Sequence, residues 1–422
     1  MKIEIPDLNP FQIIGSFPRL SVVAAREPSL FLIPTPIKYE ELQQRSSELL
    51  DTPEYKLGIM AVDSVFESFD FPDIYNGRLP YRFVYPAEAF KTYLEIYILL
   101  FDPKAQPVPA KDVFTVKTDD GQIGYLSRSS FWSAVFDGVS ATKNNYYLLE
   151  RGNVLNVGGV QPCFRNEVKE IEPGWRELGF LQADIELVGL TTETRTPQWF
   201  DKTAVKQLIT SLESINIPRP FIQIRLNNFF QILYEVLGDK IGFLEKEIFG
   251  LDSLDKMATA RVNKNREEFS QLQKLAFSQL DLWLSENKLS KEAESFLSTL
   301  VTSGVYDEQI LKTSFPNSYQ SLQNLKEIVE EIQKEYPELT VFIDPLSVRA
   351  GTPGYDGMTM QADVKTLTKI FTELAGGGAY QRAAQQSWKV QFQENPPENL
   401  YMIGFALGLT RLNTALNYLS QQ

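Results

Sequence analysis

Histidine is absent from all 422 residues, and cysteine occurs once, at Cys163. The first absence removes the usual proton shuttle at neutral pH, together with every His-dependent triad and every Cys–His pair. The second excludes an internal disulfide, and both together leave no ordinary zinc ligand set. Long apolar runs are missing too. The longest, around residues 97–101, is far too short to cross a bilayer, and the opening MKIEIPDLNP has no secretory-leader pattern, so the chain is expected to be cytoplasmic and free of membrane. Positive charge is in deficit, with 41 Lys and Arg against 54 Asp and Glu. A net charge of −13 does not suit a protein whose whole surface grips nucleic acid, although a local basic site remains open. Such a chain must run its chemistry on arginine, carboxylates and bound metal. Phosphoryl or nucleotidyl transfer fits that limit, because positioning and charge neutralisation do most of the work there.

What is present can bury a core: 43% of residues are hydrophobic and 12% aromatic, and the length allows one large core with insertions or two to three domains. The Pro- and aromatic-rich first 85 residues show no sustained period. Residues 87–101 read as a buried helix, VFTVK and QIGYLS as two strands about a turn, SFWSAVFDGV as helix, and RGNVLNVGGVQPCFRNE as strand. In FLQADIE, which starts at Phe180, polar and apolar residues alternate. A strand there carries Phe180, Gln182, Asp184 and Glu186 on one face and Leu181, Ala183, Ile185 and Leu187 on the other. An edge strand with a solvated side and a strand lining a pocket satisfy that pattern equally. After Gly189 the period becomes helical, entered through Thr196 as cap and Pro197 in the first turn. A short strand, FIQIRL, interrupts the helices, and strand character returns at LTVFIDP, MTMQADV and LYMIGFALG before a helical tail. The pattern predicts an α+β core around an antiparallel sheet, interrupted by a mostly helical insertion over residues 190–338.

Three separated stretches resemble one family. FRNE followed by a loop and the alternating strand, SVRAGTPGYDG around Arg349, and GFALGLTRL near the C-terminal end are similar, in order, to the class II aminoacyl-tRNA synthetases, and to histidyl-tRNA synthetase most of all. Weaker echoes are VFTVKTDDGQIGYL, FIQIRLNN, LDKM at 254–257, and AGGGAY. The resemblance runs from about Asp112 to Leu412. It divides the chain into an N-terminal region of uncertain fold (1–110), a first part of the catalytic core (111–189), the insertion (190–338) and a second part of the core (339–422).

That resemblance implies a six- or seven-stranded antiparallel sheet flanked by helices, ATP and Mg2+ as bound groups, a homodimer, and activation of a carboxylate as its adenylate. It implies α-phosphate arginines at Arg165 and Arg349, a γ-phosphate arginine at Arg176, and an acid near the adenine amino group at Glu167. Phe180 and Arg411 would pack on the two faces of adenine, while Gln182, Asp184, Glu186 and Tyr355 would line the amino-acid pocket. The chemistry is physically coherent, since guanidinium groups offset charge that grows as the carboxylate attacks and no general base is needed.

The departures lie mainly in that pocket. LSRSSF puts Ser129 or Ser130 where the family has the Glu that meets the substrate ammonium, and Asp184 replaces a glycine. A Tyr-Tyr pair reads Gly354-Tyr355, and GGRYD reads GGGAYQ, with Ala379 and Gln381 in place of charged residues. Histidine is therefore not the expected substrate. Only residues 413–422 follow GFALGLTRL, so no anticodon-binding domain is expected. The leading expectation is an amino-acid-activating ligase whose acceptor is a small amine, a carrier thiol or a tRNA recognised in trans. The alternative from another class is a catalytically silent regulatory subunit of the kind that partners ATP phosphoribosyltransferase.

Overall fold

A computed structural model describes residues 20–24, 52–72, 84–86, 114–118, 123–126, 131, 134–164, 179–238, 251–349 and 354–421. Its strands form two sheets. β1 (Leu20–Ala24), β2 (Val84–Pro86), β3 (Phe114–Thr118) and β4 (Ile123–Leu126) make an antiparallel sheet of order β1-β3-β4-β2. The larger sheet contains β5 (Leu155–Phe164), β6 (Gly179–Leu190), β7 (Ile222–Asn227), β8 (Thr340–Ile343), β9 (Thr359–Lys365), β10 (Ile370–Ala379) and β11 (Leu400–Gly408). Its order is β5-β6-β11-β10-β9-β7-β8, antiparallel throughout except for the parallel pair β7 and β8.

The helices are α1 (Pro53–Ser68), α2 (Val139–Asn144), α3 (Tyr146–Glu150), α4 (Pro197–Ser214), α5 (Phe229–Leu237), α6 (Leu251–Val262), α7 (Arg266–Glu286), α8 (Lys291–Ser303), α9 (Glu308–Ser314), α10 (Pro316–Glu335), α11 (Gln381–Phe392) and α12 (Leu409–Leu419). Several begin where local chemistry dictates. Thr196 accepts a hydrogen bond from the Trp199 amide at 3.3 Å with Pro197 in the first turn, and Thr52 caps α1 in the same way ahead of Pro53. Ser290 caps α8, which ends at Gly304 in the left-handed conformation, φ 67°.

The alternation starting at Phe180 is realised in β6. Leu181, Ala183, Ile185 and Leu187 join a buried cluster with Ile224 and Leu226 of β7, Met360 and Ala362 of β9, and Ile403 and Phe405 of β11. Helices α1, α4, α10 and α12 cover this back face through Val62, Phe200, Ile328 and Leu412, among others. Over the other face lies a second cluster, drawn from α2, α3, α5, the run α6 to α9, and α11. The sheet is thus a middle layer between two helical ones, and both of its faces are buried.

β7 and α4, both within 190–338, stand in the central sheet and on its back face, so the sheet layer draws on that span. The strands expected at VFTVK, QIGYLS, FIQIRL, LTVFIDP, MTMQADV and LYMIGFALG are all present. β10 and α1 go beyond the pattern in the sequence. The helix expected at 87–101 lies outside the described residues.

Candidate functional site

The front face of the large sheet has a floor of small residues between two polar margins. Glu186, Asp184 and Gln182 on β6 stand opposite Gly404, Ala406 and Gly408 on β11. Gly404 and Ala406 in turn face Gly378 and Gly376 on β10, which face Thr359 and Gln361 on β9. Because side chains alternate along a strand, all of these share one face. The polar residues are not solvated: Asp184 is 1% and Glu186 5% exposed, which decides against the solvated-edge alternative.

Two side chains lie flat on that floor, and glycine is what admits them. A Cβ on Gly404 would collide with the Glu186 carboxylate, and one on Gly376 would sit 2.5 Å from Nη1 of Arg349. At the first, the Tyr380 hydroxyl donates to Oε2 of Glu186 at 2.6 Å. Burial outweighs that hydrogen bond and pushes the Glu186 carboxyl up to about 8, so at neutral pH it holds its proton unless a cation comes beside it. Phe131 packs against Tyr355 and Tyr380, with ring centroids 5.4 and 5.6 Å away. Gln182 is half-buried, and its Oε1 accepts from the Cys163 thiol at 3.3 Å. Phe180, also half-buried, pairs with Cys163 across the ladder.

Arg349 ends a segment pinned from several sides. The Asp344 amide bonds Leu226 of β7, Asn227 donates to the carbonyls of Pro345 and Ser347, and the Ser347 hydroxyl donates to Gln361 at 2.9 Å. Asp344 also accepts from Arg261 of α6, which reaches the Gly304 carbonyl as well. Arg349 itself has φ 56°, a left-handed conformation uncommon for a non-glycine residue. Its amide donates to Oδ1 of Asp255 on α6 at 3.2 Å. Tyr355 lies between Arg349 and Glu186: burial raises its phenol, Arg349 pulls it down, and Glu186 pushes it up again.

Arg411, on α12, donates to the backbone carbonyl of Glu373 at 3.2 Å, with the Glu373 carboxylate 3.7 Å away. Glu373 lies where the β9–β10 register shifts and is itself left-handed, φ 57°. Its amide donates to Asp363, and its carboxylate accepts from Thr259 of α6 at 3.1 Å. Burial alone would raise this carboxyl, but Arg411, Arg349 and Arg225 together hold it below the usual range. Deeper still, Nη2 of Arg225 donates to Oδ1 of Asp363 at 2.9 Å, and its Nε stands 2.8 Å from Oδ2 as an ion pair; all three charged groups of Arg225, Asp363 and Asp344 are buried.

Of the residues expected from the sequence, Gln182, Asp184, Glu186 and Tyr355 therefore share one buried front-face region with Arg349, and Arg411 joins Arg349 around Glu373. Arg165, Glu167 and Arg176 lie outside the described residues. Sequence reasoning missed Tyr380, Asp255, Glu373 and the Arg225–Asp363 pair. Arg225 alone carried a signal, a single charge inside the apolar strand FIQIRL.

A mostly antiparallel seven-stranded sheet between helical layers, with a polar front face floored by glycine, is the catalytic fold of a class II aminoacyl-tRNA synthetase. Residues 251–412 match the family model described as histidyl-tRNA synthetase. No curated protein matches the chain. Among solved structures, one described as an ATP phosphoribosyltransferase regulatory subunit/histidyl-tRNA synthetase from Bacillus halodurans superposes with a TM-score of 0.54 at 12% identity, over 93% of this chain and 83% of that one. A histidine–tRNA ligase subunit from Alicyclobacillus acidocaldarius gives 0.52 at 14% identity, over 94% and 98%. Histidyl-tRNA synthetase from Nostoc sp. PCC 7120 gives 0.53 at 15% identity, over 87% and 73%.

Proposed function

We propose that the protein uses ATP to activate an amino acid other than histidine as its adenylate and passes the acyl group to an acceptor other than a standard tRNA substrate, acting as a cytoplasmic homodimer. The observation that carries this reading is the Arg349 side chain. It lies over Gly376, and its Nε is buried without a hydrogen-bond partner among the described residues. A half-buried guanidinium whose buried Nε donor is unmet, beside a glycine floor, suits an anionic group with several acceptor oxygens, as a phosphate is.

ATP, when bound, supplies a pyrophosphate leaving group, and its Mg2+ spreads the charge of the phosphates. Arg349 and Arg165 would hold the α-phosphate, Arg176 the γ-phosphate and Glu167 the adenine amino group, with Phe180 and Arg411 on the faces of the base. Among the described residues no group of three or more Cys, Asp or Glu side chains is gathered to hold a metal ion, so magnesium would come coordinated to the phosphates. On the amino-acid side, Glu186 would ionise as a cationic group enters next to it, and Asp184 adds a second buried carboxylate on the same face. Gln182 and Tyr355 complete that pocket.

One observation favours a second reading, a catalytically silent regulatory subunit. Arg411 is already engaged by Glu373, so its charge is balanced within the protein before any nucleotide binds. The Bacillus halodurans protein carries both descriptions in its name.

Pyrophosphate exchange measured across all amino acids and common carboxylates separates the two. Exchange with one of them is expected, and Arg165→Ala or Arg349→Ala should each abolish it. Asp184→Asn should change which acid is accepted more than it changes ATP binding. Nucleotide binding with no exchange for any substrate would favour the regulatory reading.

A further inference from the structure

From the position of α6, we infer that Asp255 is the positioning residue for Arg349: its carboxylate holds the Arg349 amide in the left-handed conformation that lays the guanidinium over Gly376. The inference rests on the nucleotide-binding reading only for what the guanidinium does, not for how it is held. Residues 344–347 are tied to the sheet by Asn227, Gln361 and Leu226, and those ties stop at Ser347. Beyond them the Arg349 backbone is anchored by Asp255 of α6, 94 residues earlier in the chain. A left-handed φ of 56° costs a non-glycine residue free energy unless its surroundings fix it, and a charge-assisted hydrogen bond from the amide does so.

α6 makes the hold rigid. Its Arg261 grips Asp344 and Gly304, and its Thr259 bonds Glu373, so the helix is fastened at both ends of the segment that leads to Arg349 and to the bulge of β10. The carboxyl of Asp255 faces Glu373 on β10, Arg349 on its own loop and Arg225 on β7. Burial and Glu373 push it up to about 7 against the pull of the two arginines, so both of its ionisation states are accessible near neutrality. Among these ties from α6, Asp255 is the one that reaches the Arg349 backbone, and it needs no contact with any ligand to do so.

Two measurements on the full chain test this. In protein labelled with 15N-arginine, with the Arg349 resonance assigned by its loss in Arg349→Lys, the Arg349 amide should move with pH through a midpoint near 7. That movement should vanish in Asp255→Asn, whereas Glu373→Gln should only shift the midpoint. An Arg349 amide that ignores pH between 5 and 9, or that still titrates in Asp255→Asn, overturns the inference. In the second, titration with ATP and magnesium, Asp255→Ala should weaken binding about tenfold or more while Asp255→Asn, which keeps an acceptor oxygen, stays within about threefold of the parent. If the parent binds ATP and Asp255→Ala binds it equally well, the inference fails. If the parent binds none, the nucleotide reading fails and the amide titration still decides the role of Asp255.

Discussion

Glycine in the sheet matters at single positions through what lies next to it, on the front-face floor at Gly404 and on the opposite face at Gly377. At Gly404 the neighbour is the tip of a side chain, the Glu186 carboxylate, which can swing away at the expense of its bond from Tyr380. At Gly377 a Cβ would meet the backbone of Gly404 and Phe405 in the adjacent strand, which cannot step aside. Gly404→Ala should therefore cost about 1–3 kcal/mol and Gly377→Ala more, since small-to-large changes cost most where relaxation is blocked. Urea denaturation of the two variants checks the order, and equal losses would contradict it. The shared face of Gln182, Asp184 and Glu186 was legible in the sequence because the alternation starting at Phe180 fixes it, whereas Tyr355 and Arg349 were picked out by the family resemblance alone. Tyr380 was not legible, since it follows a run of glycines that has no pattern of its own. Glu373 was not either: a bulge reorients it, and a bulge is a property of two paired strands.

Elements were legible in proportion to how local their causes are. Caps and periodicity delimit α4 and most of the strands, whereas β10 reads IFTELAGGGA, where three consecutive glycines erase the alternation and disfavour a strand by propensity. It is a strand because β9 and β11 pair with it on both sides, and its glycines are what let Arg349 approach so closely. The same non-local logic governs β7. Arg225 is 1% exposed, and its charge is tolerable there only because Asp363 from β9 and Asp344 from the end of β8 surround it. Asp363→Asn would leave the guanidinium buried with much of its counter-charge gone, and a loss of about 3 kcal/mol or more is expected. Thr196→Ala, which removes only a helix cap, should cost about 1 kcal/mol. Chemical denaturation of both distinguishes a tertiary tie from a local one.

Over the whole molecule, burying carboxyls sets the direction in which stability varies with pH. The carboxyls of Asp356, Asp201, Asp255 and Glu186 are pushed up mainly by burial, to about 6, 7, 7 and 8. Each binds its proton more tightly folded than unfolded, so its contribution is complete below about pH 4 and is lost as pH rises through the folded value. Glu373, held low, works in the opposite sense, but only in the acid range below its ordinary pKa. The urea midpoint should accordingly fall between pH 5 and pH 8.5, and Glu186→Gln should flatten the upper part of that decline. A midpoint that climbs over this interval would show that these carboxyls are ionised at neutral pH.

The amino-acid order by itself determined the class of chemistry available, through the missing histidine, and the faces and ends of most elements, because periodicity and caps act within a few residues of one another. Only the tertiary structure decided that the polar face of β6 is buried and that Arg349 lies on glycine under the hold of α6. It also decided that Arg411 turns to Glu373. Those facts depend on residues tens to hundreds of positions apart meeting across a sheet, where desolvation and charge pairing exist only once both partners are in place.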